Sequence, residues 1–420
     1  MIIERPRYLD MLVRGQGNGL VKIVTGGRRS GKSFLLFHLF HDYLLSSGVA
    51  ADHLLELSFD DLRNQRLCNP DALLDYIDAH IVHDGKVNFL ILDEIQLVDN
   101  FVKLLLSLMH MRDVEVYVSG SNSKFLSKDV VTEFRGRGQE IRVWPLTFAE
   151  YYAAAGGPVA SAWKDYYTYG GLPQVLQLQT EEEKENYLRE IFEVTYLKDI
   201  IDRNHLKNTE GLQQLVRILA STIGAPTNPL RISNTFASVS KTSISDKTIS
   251  EYIKYLTDSF LLEEALRYDV KGRKYIGSEN KYYFADMGLR NITLNMRQQE
   301  ETHIMENIVY NELRSRGYLV DVGAVRTLAT DAEGKRKRTS FEIDFVVNRG
   351  AKRVYIQSAF RIPDAAKAEQ EKRSLKLVSD TFRKLIVVGD DIRRKIDDDG
   401  VVTMGLYDFL LDKSSVEGLM

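Results

Sequence analysis

Eight residues, GGRRSGKS at 26 to 33, separate a short apolar run, LVKIVT at 20 to 25, from a segment at 32 to 47 whose apolar residues recur at helical spacing. Gly26, four residues, then Gly31, Lys32 and Ser33 form the phosphate-loop pattern. Small residues let successive backbone N–H groups turn inward around phosphate oxygens, and the helix that follows adds the positive end of its dipole. Lys32 can reach the β and γ phosphates, and Ser33 can ligate Mg2+. Gly26, Gly27, Arg28, Arg29, Ser30, Gly31, Lys32 and Ser33 are therefore the expected ATP-binding residues.

A second group supports the first. VNFLILDEI at 87 to 95 reads as a buried strand ending in Asp93 and Glu94. An aspartate at the carboxyl end of such a strand can hold Mg2+ beside Ser33, and the adjoining Glu94 can polarise the attacking water. VYVSGSNS, beginning at 116, ends in polar groups, of which Ser121 or Asn122 can orient that water; a loop-capping asparagine is the structural alternative. Arg135 and Arg137 lie in a glycine-softened loop, FRGRGQ. Either suits stabilisation of a transferring phosphate in a neighbouring subunit, with a solvated arginine as the alternative.

Positioning these groups requires an alternation of elements. HLLELSF at 53 to 59 and VEVYVS at 114 to 119 read as further strands, separated by helical patterns at 70 to 82 and 100 to 111. Strand and helix in alternation predict an α/β fold, a P-loop doubly wound parallel sheet. A chain of 420 residues implies two to four domains. The net charge of −3 gives no bulk attraction to nucleic acid or to an anionic membrane, so any such contact needs a local basic face. Cys68 is the single cysteine, which excludes an internal disulfide framework. MIIERPRYLD lacks the apolar core of a signal peptide, and no apolar run approaches a membrane span, so the expected setting is cytoplasmic with no membrane partner.

With RPRYLDML at 5 to 12, LILDEIQLV at 90 to 98, FRGRGQEIRVWPLTFAEYY at 134 to 152 and GGLPQVL at 170 to 176, the chain resembles the bacterial and archaeal AAA+-class ATPases that carry a C-terminal domain of unknown function. The resemblance covers nearly the whole length. It implies a water-activating role for Glu94 and identifies Arg137 as the arginine of the GR motif.

The C-terminal half is read from pattern. Residues 161 to 205 are helical and rich in aromatics, a lid or coupling element in which EEEKE is a solvated helix start. GLQQLVRILASTIG is an apolar-striped helix, Ser245 caps another, and a hairpin follows with Lys271, Arg273 and Lys274 at its turn. Helix, helix, basic hairpin is the order of a winged helix, which would place DNA against residues 245 to 274; Glu251, Asp258, Glu263 and Glu264 oppose this, and a protein-contact module is the alternative. Further on, Glu306 on a helix, Asp344 on a strand and Gln357 on the next strand follow the metal-ligand order of a restriction-endonuclease-like module. Ala359 stands where the catalytic lysine belongs, with Lys352, Lys367 and Lys372 as candidate replacements. Glu306, Asp344 and Gln357 are thus a possible remnant metal site, and the basic run from 335 to 353 a possible phosphate-backbone contact.

The expected domains are a P-loop ATPase core at 1–155, a helical lid or linker at 156–210, a winged-helix-like domain at 211–299 and a restriction-endonuclease-like α/β domain at 300–420. The expected function is an ATP- and Mg2+-dependent switch or motor, homo-oligomeric, coupled to a DNA-facing module that binds rather than cuts. A signalling ATPase with a protein partner and an ATP-regulated DNA endonuclease are the alternatives.

Overall fold

The computed structural model describes residues 1 to 420 apart from 121–133, 135, 241–243, 298–299 and 331–335; the side chains of 239–240, 278, 328–330 and 336–338 are also outside the description. The chain divides into two compact units. One is Met1–Pro145 with Leu172–Gln177 and Asp258–Phe260, and the other is Leu146–Gly171, Leu178–Thr257 and Leu261–Met420.

The first unit is built on β1 (Val21–Thr25), β2 (Leu54–Ser58), β3 (Asn88–Asp93), β4 (Val114–Ser119) and β5 (Gly138–Arg142), in the order β2-β3-β4-β1-β5. Every pairing is parallel, as expected of a sheet whose strands are joined by helical crossovers. Parallel strands are buried on both faces, which explains their unbroken apolar runs. The side chains nevertheless alternate. Leu90 and Leu92 of β3, with Val116 and Val118 of β4, point into one core with the helices Pro70–His80 and Phe101–Leu108. Phe89, Ile91 and Tyr117 point into the other, against Tyr8, Leu12, Leu35, Leu36 and Phe40. Strand β4 lies between the P-loop strand β1 and the acidic strand β3.

The second unit contains a mixed sheet of eight strands, ordered β12-β13-β11-β10-β9-β8-β6-β7, in which β11 is Arg383–Val388, β12 is Lys395–Ile396, β13 is Val401–Gly405 and β6 to β10 are as follows. The helices Thr209–Ser221, Pro229–Thr235 and Asp246–Asp258 precede the hairpin of β6 (Leu262–Asp269) and β7 (Lys274–Phe284). Ser245 caps the third helix, its Oγ accepting the Thr248 N–H at 3.1 Å. That hairpin does not stand apart. Strand β6 pairs in parallel with β8 (Leu319–Thr330), which continues through β9 (Arg336–Arg349) to β10 (Lys352–Ala359), so one ladder crosses the expected boundary between 299 and 300. The expected boundary at 155 also differs from the division at Pro145. The helix Phe148–Ala155 packs Phe148 edge-on to Trp163 at 5.4 Å and against Tyr166 at 5.5 Å, which binds it to the second unit.

Because Leu90 is fully buried at the centre of β3, Leu90→Ala is expected to destabilise the fold by about 2–5 kcal/mol in a urea titration. A loss under about 0.5 kcal/mol, the size of a surface substitution, would contradict this packing.

Candidate functional site

The phosphate loop begins where β1 ends. Gly26 has φ 138°, and a Cβ there would lie 2.1 Å from the Val143 carbonyl oxygen, so no other residue fits. Gly31, with φ 94°, then turns the chain into the helix starting at Lys32. Ser30 Oγ closes the turn by donating to the Gly27 carbonyl at 2.9 Å.

Lys32 folds back over the loop it terminates. Its Nζ donates to the carbonyls of Gly26 at 3.1 Å and Gly27 at 2.9 Å, and the side chain is buried. Burial pulls its pKa down to about 8, against the opposing pull of Glu94 and Asp93. An ammonium in this position gains from an anionic partner, and phosphate oxygens are such a partner.

Asp93, buried at the end of β3, accepts a hydrogen bond from Ser119 at the end of β4 and another from the Ser33 hydroxyl. Burial raises its pKa, with Glu94 adding to the rise. Glu94 follows in a left-handed conformation, φ 52°; its N–H donates to Ser119 Oγ at 3.3 Å and its carboxylate accepts from the Gln96 amide. Ser33 and Asp93 thus meet as two oxygen donors suited to Mg2+, with Glu94 turned out beside them. The steric cradle at Gly26, the buried ammonium of Lys32 and this oxygen pair fit a nucleotide phosphate with its metal ion.

Arg137 is not brought to this group. It is exposed, and its carbonyl accepts the N–H of Val21, the first residue of β1, at 3.0 Å. The phosphate loop leaves the other end of that strand, about 13 Å away at about 3.3 Å per residue. Asn122, Ser121 and Arg135 lie outside the described residues.

Two contributors were not singled out in the sequence. Ser119 holds both acids, and its only signal is a polar residue closing the apolar run of β4. Arg5 is buried, donating through Nη1 to the Ser30 carbonyl at 3.2 Å and through Nη2 to the Trp144 carbonyl at 2.7 Å. The carbonyl and the following N–H of a trans peptide point in opposite directions, so this bond turns the Gly31 N–H away from the guanidinium. Pro173 of the GGLP run also lies by the loop, its Cγ 3.7 Å from where a Gly31 Cβ would be.

The second predicted group is in the other unit. The register Ile356–Phe345 sets Gln357 beside Asp344, and Glu306 comes from the helix Glu301–Ser315. Asp344 accepts the Ser358 N–H at 2.8 Å, and burial, then Glu306, push its pKa well up. Gln357 Oε1 accepts from Ser374 Oγ at 3.5 Å. The candidate lysines do not join them: Lys367 pairs with Glu371 at 2.6 Å, Lys372 pairs with Asp397 at 2.6 Å, and Lys352 is exposed at the start of β10. The lysine that does is Lys281 of β7, 3.0 Å from Glu306 and 2.7 Å from Glu342. In the basic run, Arg349 is tied to Glu417 at 2.6 Å and Arg353 to Asn348 at 2.8 Å, whereas Lys271, Arg273 and Lys274 at the hairpin turn are exposed.

A β2-β3-β4-β1-β5 parallel sheet with this loop and this acid pair defines an AAA-class ATPase domain. A family model for an AAA domain matches residues 18–152, and one for a domain of unknown function (DUF8612) matches residues 160–300. An uncharacterized protein of Haemophilus influenzae is 32% identical over 415 residues, which are 98% of this chain and 99% of that one. The chain belongs to the family of that protein, an AAA-class ATPase domain joined to a C-terminal domain of unknown function. An uncharacterized protein of Methanocaldococcus jannaschii is 25% identical over 374 residues, 86% of this chain and 79% of that one. Among solved structures, a Walker-type ATPase of Pyrococcus abyssi aligns at 15% identity and a TM-score of 0.48, over 70% of this chain and 96% of that chain. No helix among the described residues is long and apolar enough to cross a membrane.

If Arg5 aligns the loop, Arg5→Ala raises KM for the nucleotide about tenfold, the scale of one hydrogen bond to a charged group, while kcat falls less. Arg5→Lys recovers part of the loss. An unchanged KM in a variant with the wild-type melting temperature would rule out the positioning role.

Proposed function

We propose that the protein is an ATP- and Mg2+-dependent hydrolase of the AAA class that works as a nucleotide-controlled switch or motor. The observation that carries this is the buried ammonium of Lys32, held by neutral carbonyls beside the Ser33–Asp93 pair. On ATP binding, the backbone N–H groups of Gly26 to Ser33 take the phosphate oxygens, Arg28 and Arg29 flank them, and Lys32 exchanges the two carbonyls for phosphate. Bound Mg2+ supplies neutralisation of the phosphate charge, and Ser33 and Asp93 hold it. Glu94 polarises the attacking water and Asn122 orients it.

Arg137 serves a neighbouring subunit in this reading, because its own phosphate loop is at the opposite end of β1. The active form is then a homo-oligomer. The C-terminal half is read as a winged-helix-like and a restriction-endonuclease-like module facing DNA without cutting it. Exposed Lys271, Arg273 and Lys274 support the contact. The second reading, a signalling ATPase with a protein partner, draws on the exposed Asp246 and Glu251 on the helix that would enter the groove. Such acids repel phosphate and suit a basic protein surface.

Lys32→Ala is expected to abolish turnover, and Arg137→Ala to lower kcat about a thousandfold, the low end for a phosphate-stabilising arginine. Mixing the two inactive variants should restore activity, since a mixed pair assembles one intact site; no recovery in a verified mixed oligomer would show that Arg137 does not act in trans.

Asp344→Ala should leave turnover intact, and the wild type should fail to nick plasmid in Mn2+. Cleavage that disappears in Asp344→Ala would favour the endonuclease. A DNA-binding titration with and without a nonhydrolysable ATP analogue, at two salt concentrations, separates the DNA reading from the partner reading: contact through phosphates weakens steeply with salt.

A further inference from the structure

The predicted remnant metal site is filled by the protein itself. Lys281 lies on β7, paired with Ala265 of β6, and its side chain is only 3% exposed. Its Nζ is 3.0 Å from Glu306 Oε1 and 2.7 Å from Glu342 Oε1. Tyr283, two residues further along the same strand and so on the same face, donates its hydroxyl to Glu306 Oε1 at 2.7 Å. That oxygen therefore serves an ammonium and a phenol at once. A carboxylate oxygen has about two lone-pair sites, and both are taken.

Asp344 and Gln357 each have one oxygen engaged. Asp344 Oδ2 accepts the Ser358 N–H, and Gln357 Oε1 faces Ser374 Oγ. Gly224 closes over Glu306, with its Cβ position 3.1 Å from Oε1. A hard divalent cation takes six or more oxygens, waters included, at about 2.0 to 2.6 Å, and the Lys281 ammonium occupies the place between Glu306 and Glu342 that such an ion would need. Among the described residues, no group of three or more His, Cys, Asp or Glu side chains is arranged to hold a metal ion.

We propose that the ammonium of Lys281 is the permanent cation of the Glu306, Glu342 and Asp344 cluster, taking the place of the divalent metal that the Glu306, Asp344 and Gln357 pattern implied. The cluster is then an internal ionic core that binds the helix Glu301–Ser315 to β7 and β9. This holds whether or not the first unit hydrolyses ATP.

The test is a Mn2+ titration of the full chain without nucleotide, followed by electron paramagnetic resonance. The wild type and Asp344→Asn should bind the same number of ions, because neither has a site there. Lys281→Met should bind one Mn2+ more than the wild type, and its melting temperature, lowered in EDTA, should rise again with Mn2+. A wild-type ion lost in Asp344→Asn would overturn the proposal, and so would folded Lys281→Met that gains no ion. Should Lys281→Met fail to fold, the comparison of wild type with Asp344→Asn decides alone.

Discussion

A buried ammonium must have oxygen around it, and the organisation of both units follows from which oxygens three buried lysines find. Lys22, within β1, reaches Glu115 on β4 at 2.6 Å, a pairing across neighbouring strands. Lys281, on β7, reaches Glu306 on a helix and Glu342 on β9. In both, opposite charges neutralise each other, and nothing is gained by exchanging the partner. Lys32 differs. Its partners are two backbone carbonyls, dipoles without net charge, and its pKa is lowered where that of Lys281 is raised. The carboxylates around Lys281 outweigh its burial; Asp93 and Glu94 fail to outweigh that of Lys32. Of these three lysines, Lys32 is the one whose ammonium is held by neutral carbonyls, and it is the one at the phosphate loop.

The order of the strands explains how Asp93 and Glu94 come within reach of that cation without capturing it. Strand β4 stands between β1 and β3, which separates the phosphate loop from the acids by the width of a strand. Ser119, the last residue of β4, donates to the Asp93 carboxylate and accepts the Glu94 N–H. A serine is short enough to hold both acids and leave their outer side to Ser33. Were β1 and β3 neighbours, the acids would meet Lys32 directly, and the ion pair would compete with phosphate.

How much of this was legible in the sequence follows from how local each cause is. The phosphate loop is set by backbone conformations within a few residues, so the glycine spacing reveals it. The strands reveal themselves by apolar runs, and the predicted spans 114 to 119 and 20 to 25 agree with β4 and, within a residue, β1. Arg5 and Trp144 are far apart in sequence and meet only because a helix and a loop converge on one strand end. Lys281 was missed for a related reason. Lys352, Lys367 and Lys372 are near β9 and β10 in sequence, whereas Lys281 is on β7, separated from β9 by the strands that carry Ala265 and Ala324. The division at Pro145 rather than 155 could not be read from FAEYYAAA, which carries no mark of its packing partners, Trp163 and Tyr166.

The same distinction limits what charge counting can say about the C-terminal half. The run from 335 to 353 contains many cations, but Arg349 and Arg353 are tied to Glu417 and Asn348, with Arg353 also lying over the rings of Tyr268 and Phe382. Each phosphate contact contributes through the counterions it releases, so a cation already held in place adds little to salt-dependent affinity. The exposed cations at the hairpin turn are Lys271, Arg273 and Lys274, and the helix Asp246–Asp258 that precedes the hairpin is of mixed charge. Under the DNA-facing reading, a single copy therefore binds weakly, and firm binding needs several hairpins on one duplex. In that reading association of subunits supplies that number, and the trans role proposed for Arg137, whose carbonyl pairs with the start of β1 rather than with its phosphate-loop end, gives the same association a catalytic purpose.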